Sequence, residues 1–254
     1  MLPFPSLLRL GWCVLWIAAT LGCQAGPDLG RAGAPLRIGS DLTNDPFAFV
    51  DADGVPGGLE VEMMHRIAAE LGRPLEIHRI PFEELISAVE VGEIDIACAT
   101  MGITEERAQR IAFSDPYFET SIAVVVRDRP GDPKTIADLA TARLSASKGT
   151  TSEFAVRARL PHATIAAEEK DGAPVVARLL NGTLTGAVMD GPNADALAAE
   201  TPGLRVLAEP LATERYAMVL AKGEKRLLRK VNAAIEALAR KGALPRLSEP
   251  PESP

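Results

Sequence analysis

The chain is poor in the residues from which several kinds of site are built. Of its 254 residues, seven are Phe, two Tyr and two Trp, too few for the aromatic platform on which single-stranded nucleic acid stacks. The net charge is −7 and no block of Lys and Arg occurs, which argues against a nucleic-acid partner altogether. His65, His78 and His162 are scattered, without the spacing of a metal cluster, and no cofactor-binding loop stands out. Cysteine is equally scarce. Cys13 and Cys23 lie near the start, which leaves Cys98 alone in the body of the chain. One thiol cannot close an internal disulfide, and its position in the apolar run 94–99 predicts a small buried hydrophobe.

No apolar run reaches the roughly 20 residues of a spanning helix. Residues 10–22, behind Arg9, form a shorter run that reads as the core of a signal peptide over residues 1–22. It ends in Thr20-Leu21-Gly22-Cys23, which resembles a bacterial lipoprotein cleavage box with Cys23 as the acylated first residue. Thr20 stands where that pattern prefers a Leu-like residue. Cys23-Gln24-Ala25 can instead serve ordinary signal peptidase. Both routes export the chain, to the periplasm or to a lipid-anchored place on the membrane.

What is present is the composition of an ordinary globular protein, 47% hydrophobic and 24% charged, long enough for two lobes with a core each. A Gly-rich tether, 23–35, precedes alternating strand and helix signals. Residues 36–39 read as a strand. Residues 59–71 carry Val61, Met64, Ile67 and Leu71 on one helical face and stop at Gly72. A strand at 75–79, a helix at 83–91 and a strand at 94–99 follow. This rhythm predicts a mostly parallel sheet covered by helices. A second unit follows the β-rich run 121–127, with helices near 136–139, 151–160 and 174–180 and strands at 143–147 and 186–189. A strand at 216–220 and a long amphipathic helix marked by Leu227, Val231, Ile235 and Leu238 close the pattern. The Pro-rich tail 248–254 reads as frayed.

Several short motifs occur in a telling order: Pro46-Phe47 before an Asp-Gly turn, Gly58-Leu59-Glu60-Val61-Glu62-Met63, Ile103-Thr104-Glu105-Glu106-Arg107, Phe113-Ser114-Asp115-Pro116-Tyr117, Gly149-Thr150-Thr151, and Gly182-Thr183 with Asp190-Gly191-Pro192-Asn193. Together they resemble the extracellular solute-binding proteins of family 3, the polar-amino-acid receptors of ABC transporters, over about residues 36–247. The resemblance implies a periplasmic-binding-protein type II-like α/β fold, two lobes joined by two crossing hinge strands. Lobe 1 would be 36–122 plus 212–247 and lobe 2 would be 123–211, with crossings near 121–125 and 208–215. It implies a monomer that takes an amino-acid-like ligand, needs no cofactor and docks a membrane permease when closed.

The same resemblance assigns the site. Arg107 matches the arginine that grips the ligand carboxylate, a task suited to a planar guanidinium with parallel donors. Thr150 and Thr151, at the start of a helix, match carboxylate contacts from the second lobe, where hydroxyls and free N–H groups point at the anion. Simple N-capping is the alternative role for them, and both can hold together. Asp190 matches the aspartate that receives the α-ammonium, although Asp-Gly-Pro is also a turn sequence. Thr100 and Gly102 match positions that give a hydroxyl and a backbone contact, with Gly102 replacing a common serine. Phe82 matches an aromatic that packs on the ligand side chain, or it is core. Asp41 matches a position that meets basic side chains, while Asn44 stands where many members place an aromatic. Glu60 and Glu62 open a helix, where acids complement the dipole, and Phe113–Tyr117 has a structural place.

Two other functions fit the same scaffold. Some relatives are cyclohexadienyl dehydratases, in which a cleft carboxylic acid expels water and carbon dioxide. Asp41, Glu83, Glu119 or Asp190 is the candidate acid here. A sensor module inside a longer protein is the other, but the chain is expected to stand alone because it ends after the last helix.

Overall fold

The computed structural model describes residues 33–166 and 174–246. The expected signal peptide, Cys23, nearly all of the tether and the tail lie outside the described residues.

The first unit opens with β1 (Leu36–Ser40), β2 (Thr43–Asn44), β3 (Ala48–Val50) and β4 (Pro56–Gly57). Helix α1 (Leu59–Glu70), β5 (Leu75–Arg79), a 3-10 turn at Phe82–Glu84, α2 (Leu85–Glu90), β6 (Ile96–Ala97), α3 (Glu105–Ala108) and β7 (Ile111–Phe113) follow. The second unit holds β8 (Phe118–Arg127), a 3-10 turn at Ile136–Leu139, β9 (Arg143–Ser145), α4 (Thr151–Arg159) and β10 (Thr164–Ile165). It continues with α5 (Val175–Leu180), β11 (Gly186–Asp190), α6 (Gly191–Glu200), β12 (Leu204–Val206) and β13 (Ala212–Tyr216). The chain then returns to the first unit with β14 (Val219–Ala221) and α7 (Lys225–Arg240).

Two sheets result, in the orders β5-β1-β6-β14-β7 and β10-β9-β11-β8-β12, with β13 paired on β8. A small third sheet, β2-β3-β4, lies beside the first. The expectation of mostly parallel sheets holds only for β1, β5 and β6 and for β9, β10 and β11. Strand β14 enters antiparallel to β6 and β7, and β8 runs antiparallel to β11, β12 and β13. The reversal has a topological cause: β8 carries the chain out of the first unit, β13 carries it back and β14 follows directly, and hydrophobic spacing does not encode direction. The crossing consists of Phe118–Ile122 paired against Ala212–Tyr216.

Both sheets are covered on both faces. Along β8, Ile122, Val124 and Val126 join one core with Leu144 and Val156, while Ala123 and Val125 join another with Leu179, Ala187 and Ala194. That split is the two-residue alternation of a strand. In the first unit Met63, Met64 and Ile67 of α1 pack with Leu227, Val231, Ile235 and Leu238 of α7, and Leu85 and Val89 cover the other face. The helices form where apolar spacing predicts, and α1 passes into a left-handed turn at Gly72 (φ +65°). Gly58, at φ +109°, precedes α1 where a Cβ would lie 2.4 Å from the Phe47 carbonyl oxygen, so only glycine fits there.

The expected strand 94–99 shortens to β6 because Thr100 adopts φ +44° and turns the chain out of the sheet. The expected helices at 83–91 and 136–139 are partly or wholly 3-10. Cys98 is buried and free, and burial pushes its thiol pKa up. Among the described residues no helix is long and apolar enough to cross a membrane, and no group of His, Cys, Asp and Glu could hold a metal ion.

Candidate functional site

Parallel strands bring their carboxyl ends to a common edge, where an α/β protein leaves its crevice. Asp41 follows β1, Thr100 follows β6 and Phe82 follows β5; from the other unit, Thr150 follows β9 and Asp190 ends β11. All of them line one cleft of about 1170 Å3 between the units, together with Asn44, Arg107 and Thr151. Gly102 does not line it. A Cβ there would sit 2.0 Å from Glu214 Oε1 and 2.6 Å from Thr151 Cγ2, so the space of the missing serine side chain is filled by Glu214 and Thr151.

Arg107 is held from several sides. Thr104 caps the short helix α3 by accepting the Arg107 N–H at 3.1 Å. One terminal nitrogen of the guanidinium donates to the Gly102 carbonyl at 2.8 Å and the other to Gly149 of the opposite unit at 3.0 Å. Its Cζ lies 5.4 Å from the centroid of the Phe82 ring, a cation–π contact that fixes the plane of the group. Burial lowers its pKa, while Glu214 and Glu106 counter that. The charged form persists, since an arginine this close to acids has no route to neutrality at physiological pH.

The start of α4 differs from simple capping. Thr150 occupies the cap position, yet its hydroxyl donates to the Ser147 carbonyl at 2.7 Å and makes no side-chain cap. The Thr151 hydroxyl donates to Glu214 Oε1 at 2.5 Å. No side chain of the cap residue occupies the first N–H groups of α4, while the Gly149 N–H just before them donates to Glu153 Oε2 at 2.7 Å.

Asp190 accepts the Tyr216 hydroxyl at 2.5 Å and lies within hydrogen-bonding reach of the Glu214 carboxyl. Burial raises the pKa of both acids. Glu214 reaches about 8, pushed up by burial and by the adjacent Asp190 charge, against the pull of Thr151 and Arg107. The Tyr216 hydroxyl is raised as well, by burial and then by the Asp190 charge.

Asn44 bridges the units instead of forming a wall. Its amide donates to Thr100 Oγ1 at 2.9 Å, and its Oδ1 accepts Asn193 Nδ2 at 2.9 Å. Asn193 also donates to the Asp45 carbonyl at 3.3 Å. Asp41 accepts the Thr43 hydroxyl at 2.6 Å and lines the cleft, as do Arg79 and Glu83. Glu119 faces a separate hollow with Phe118 and Arg246, so it leaves the set of candidate cleft acids.

Sequence reasoning missed three residues. Glu214 and Tyr216 sit in phase on β13, both buried, and a two-residue alternation through 212–216 is the signal that points Glu214 inward. Glu60 is fully buried and is more than a dipole partner. It accepts the Thr100 N–H at 2.7 Å and the Tyr117 hydroxyl, while its Oε2 has no partner. Burial raises its pKa to about 7. Glu60 therefore holds Thr100 in the left-handed conformation that presents its hydroxyl to Asn44.

This architecture has clear parallels among known proteins. A probable histidine-binding protein of Neisseria gonorrhoeae is 28% identical over 247 residues, covering 89% of this chain and 91% of that protein. An ancestral arginine-binding protein bound to arginine superposes with a TM-score of 0.73 at 31% identity, covering 84% of this chain and 96% of that one. An ancestral amino-acid-binding protein described as a precursor of cyclohexadienyl dehydratase superposes with a TM-score of 0.73 at 29% identity, covering 83% and 92%. Residues 36–250 match the family model of the bacterial extracellular solute-binding proteins, family 3, and with two α/β lobes around a cleft the chain belongs to that family.

Proposed function

We propose that the protein is the extracytoplasmic receptor of an amino-acid ABC transporter, closing its lobes on an L-amino acid or close analogue. One observation carries the reading: a buried guanidinium, Arg107, and a half-buried acid, Asp190, line one cleft from opposite lobes. They complement the carboxylate and ammonium of an α-amino acid. In this reading lobe 1 is 36–122 with 212–247 and lobe 2 is 123–211. Thr150, Thr151 and the N–H groups of α4 meet the carboxylate from the second lobe. Phe82 packs on the ligand side chain, and Thr100 adds its hydroxyl. Asp41 with Glu83 favours a polar or cationic side chain. A monomer, periplasmic or held at the membrane by a lipid on Cys23, then presents the closed complex to a permease.

A thermal-shift screen of L-amino acids, polyamines and organic acids tests this, followed by calorimetry on the best ligand. Stabilisation by at least one L-α-amino acid, lost on removal of its carboxylate, is expected. Indifference to all of them would overturn the receptor reading.

A dehydratase is the second reading, and one observation favours it: burial and the adjacent Asp190 charge raise the Glu214 pKa to about 8, so a carboxylic acid stands just behind Asp190 and Thr151 of the cleft wall at neutral pH. Incubation with prephenate or arogenate separates the two readings. Release of carbon dioxide with an aromatic product replaces the receptor by an enzyme.

A further inference from the structure

We infer that Asp190 and Glu214 share one proton in the empty cleft and release it when a ligand ammonium reaches Asp190, which makes ligand capture proton-linked. The inference rests on the receptor reading above and adds to it a residue, Glu214, that acts through Asp190.

The geometry starts at Gly102. Its missing side chain leaves the space that the Glu214 carboxyl fills, since a Cβ at 102 would lie 2.0 Å from Oε1. Glu214 is 6% exposed and stands behind Asp190 and Thr151 without lining the cleft itself. Thr151 donates to Oε1, while Oε2 is buried with no donor. Asp190 takes the Tyr216 hydroxyl on Oδ2. Two adjacent carboxyls, Glu214 buried and Asp190 half-buried, cannot both remain ionised at low cost, and one proton between them turns a repulsion into a hydrogen bond.

The charged and titratable groups around the pair come from every neighbouring element. Arg107 of α3 pulls toward ionisation of Glu214. Tyr216, on the same strand, donates to Asp190, and Glu60 of α1 adds a further acid near Asp190. One guanidinium does not neutralise two carboxylates and bind a ligand carboxylate as well. Burial and the Asp190 charge accordingly hold the Glu214 proton up to about pH 8. A ligand ammonium supplies the second positive charge, and the proton leaves to solvent. The charge of the site is then nearly balanced: two carboxylates and one ligand carboxylate against Arg107 and the ammonium, with Thr151, Tyr216 and the α4 N–H groups supplying neutral donors.

The test is calorimetry of the full chain with L-arginine, L-histidine and L-glutamine in buffers of different ionisation enthalpy, at pH 6 to 9. About one proton is released per ligand at pH 7, declining toward zero by pH 9, and below pH 7 affinity grows about tenfold with each unit of increasing pH. Glu214→Gln keeps the shape and the Thr151 contact, and release at pH 7 falls toward zero. Carboxyl carbon-13 titration without ligand, wild type against E214Q, shows that the variant lacks a glutamate transition lying well above the usual carboxylate range. A purely structural Glu214 moves neither readout. Ligand binding without buffer-dependent heat, or release unchanged in E214Q, overturns the proton-sharing inference and leaves the receptor reading intact. Absence of any amino-acid binding overturns the receptor reading, and the carbon-13 titration alone then decides the shared proton.

Discussion

Replacing Arg107 with Met removes the guanidinium while keeping most of the volume, and the loss can be worked from the contacts. Two donors of the guanidinium are spent on the Gly102 and Gly149 carbonyls, so in the proposed receptor its remaining donors carry the ligand carboxylate. The group is 6% exposed, which places the ion pair in poor solvent, where truncating one partner costs about 2–5 kcal/mol. Taking about 3 kcal/mol, affinity for an α-amino acid falls roughly 150-fold. Part of any apparent loss reflects the cleft itself, since the contact of the charged guanidinium to Gly149 crosses between lobes and is worth about 1.5–3 kcal/mol.

A cycle separates the two parts. Calorimetry compares L-arginine with agmatine, and L-histidine with histamine, on wild type and Arg107→Met. The wild type prefers the carboxylate form strongly; the variant binds both forms with similar affinity. A second readout follows from the electrostatics, because Arg107 lowers the Glu214 pKa. In the variant the ligand affinity stays pH-dependent to higher pH. Carboxylate discrimination retained within about threefold in a variant of normal folded content would refute the assignment of Arg107.

Three further outcomes are expected. Glu60 titrates at about 7 in the fold against an ordinary 4.5, so the native state binds the extra proton between those values and stability falls as pH rises through the window. Glu60→Gln removes this, and chemical denaturation shows it gaining on wild type by up to about 3 kcal/mol from pH 4.5 to 7, then holding constant. Gly102→Ser places an atom on Glu214 and costs about 1–3 kcal/mol in thermal denaturation, a loss smaller in the Glu214→Ala background because the clash with Glu214 is gone and only that with Thr151 Cγ2 remains. Asn193→Ala deletes the bond to Asn44 across the cleft, weakening ligand binding about fivefold and enlarging the ligand-free radius of gyration in X-ray scattering.

Much of this was legible in the sequence alone. Apolar spacing located α1 and α7 because their core faces are continuous, and the order of short motifs placed Arg107, Thr150, Thr151 and Asp190 where one cleft collects them. What escaped has physical reasons. Glu60 shares the buried face of α1 with Met64 and Ile67, but an acid in a first turn has an adequate explanation in the helix dipole. Glu214 sits in a crossing strand between polar neighbours, and its burial depends on Gly102, far away in sequence. Strand direction escaped altogether. Alternation says which way a side chain points and nothing about which way the chain runs, so the antiparallel entry of β14 is visible only in the pairing.

The interlock of Gly102 with Glu214 changes what the missing serine means. Read along the chain, the glycine is a hydroxyl subtracted from the carboxylate site. In space it admits an acid from the hinge strand β13, which takes the Thr151 hydroxyl and touches Asp190. Both of those partners belong to the second unit, and the Gly102 carbonyl meanwhile holds Arg107 in the first. One carboxyl thus adjoins Thr151, Asp190 and Arg107 from the crossing strand β13. A ligand that alters its protonation alters contacts to both lobes together, and differential interaction with the open and closed forms is the means by which a ligand shifts that equilibrium. In the receptor proposed above, charge at Asp190 and closure of the cleft are for that reason coupled through Glu214.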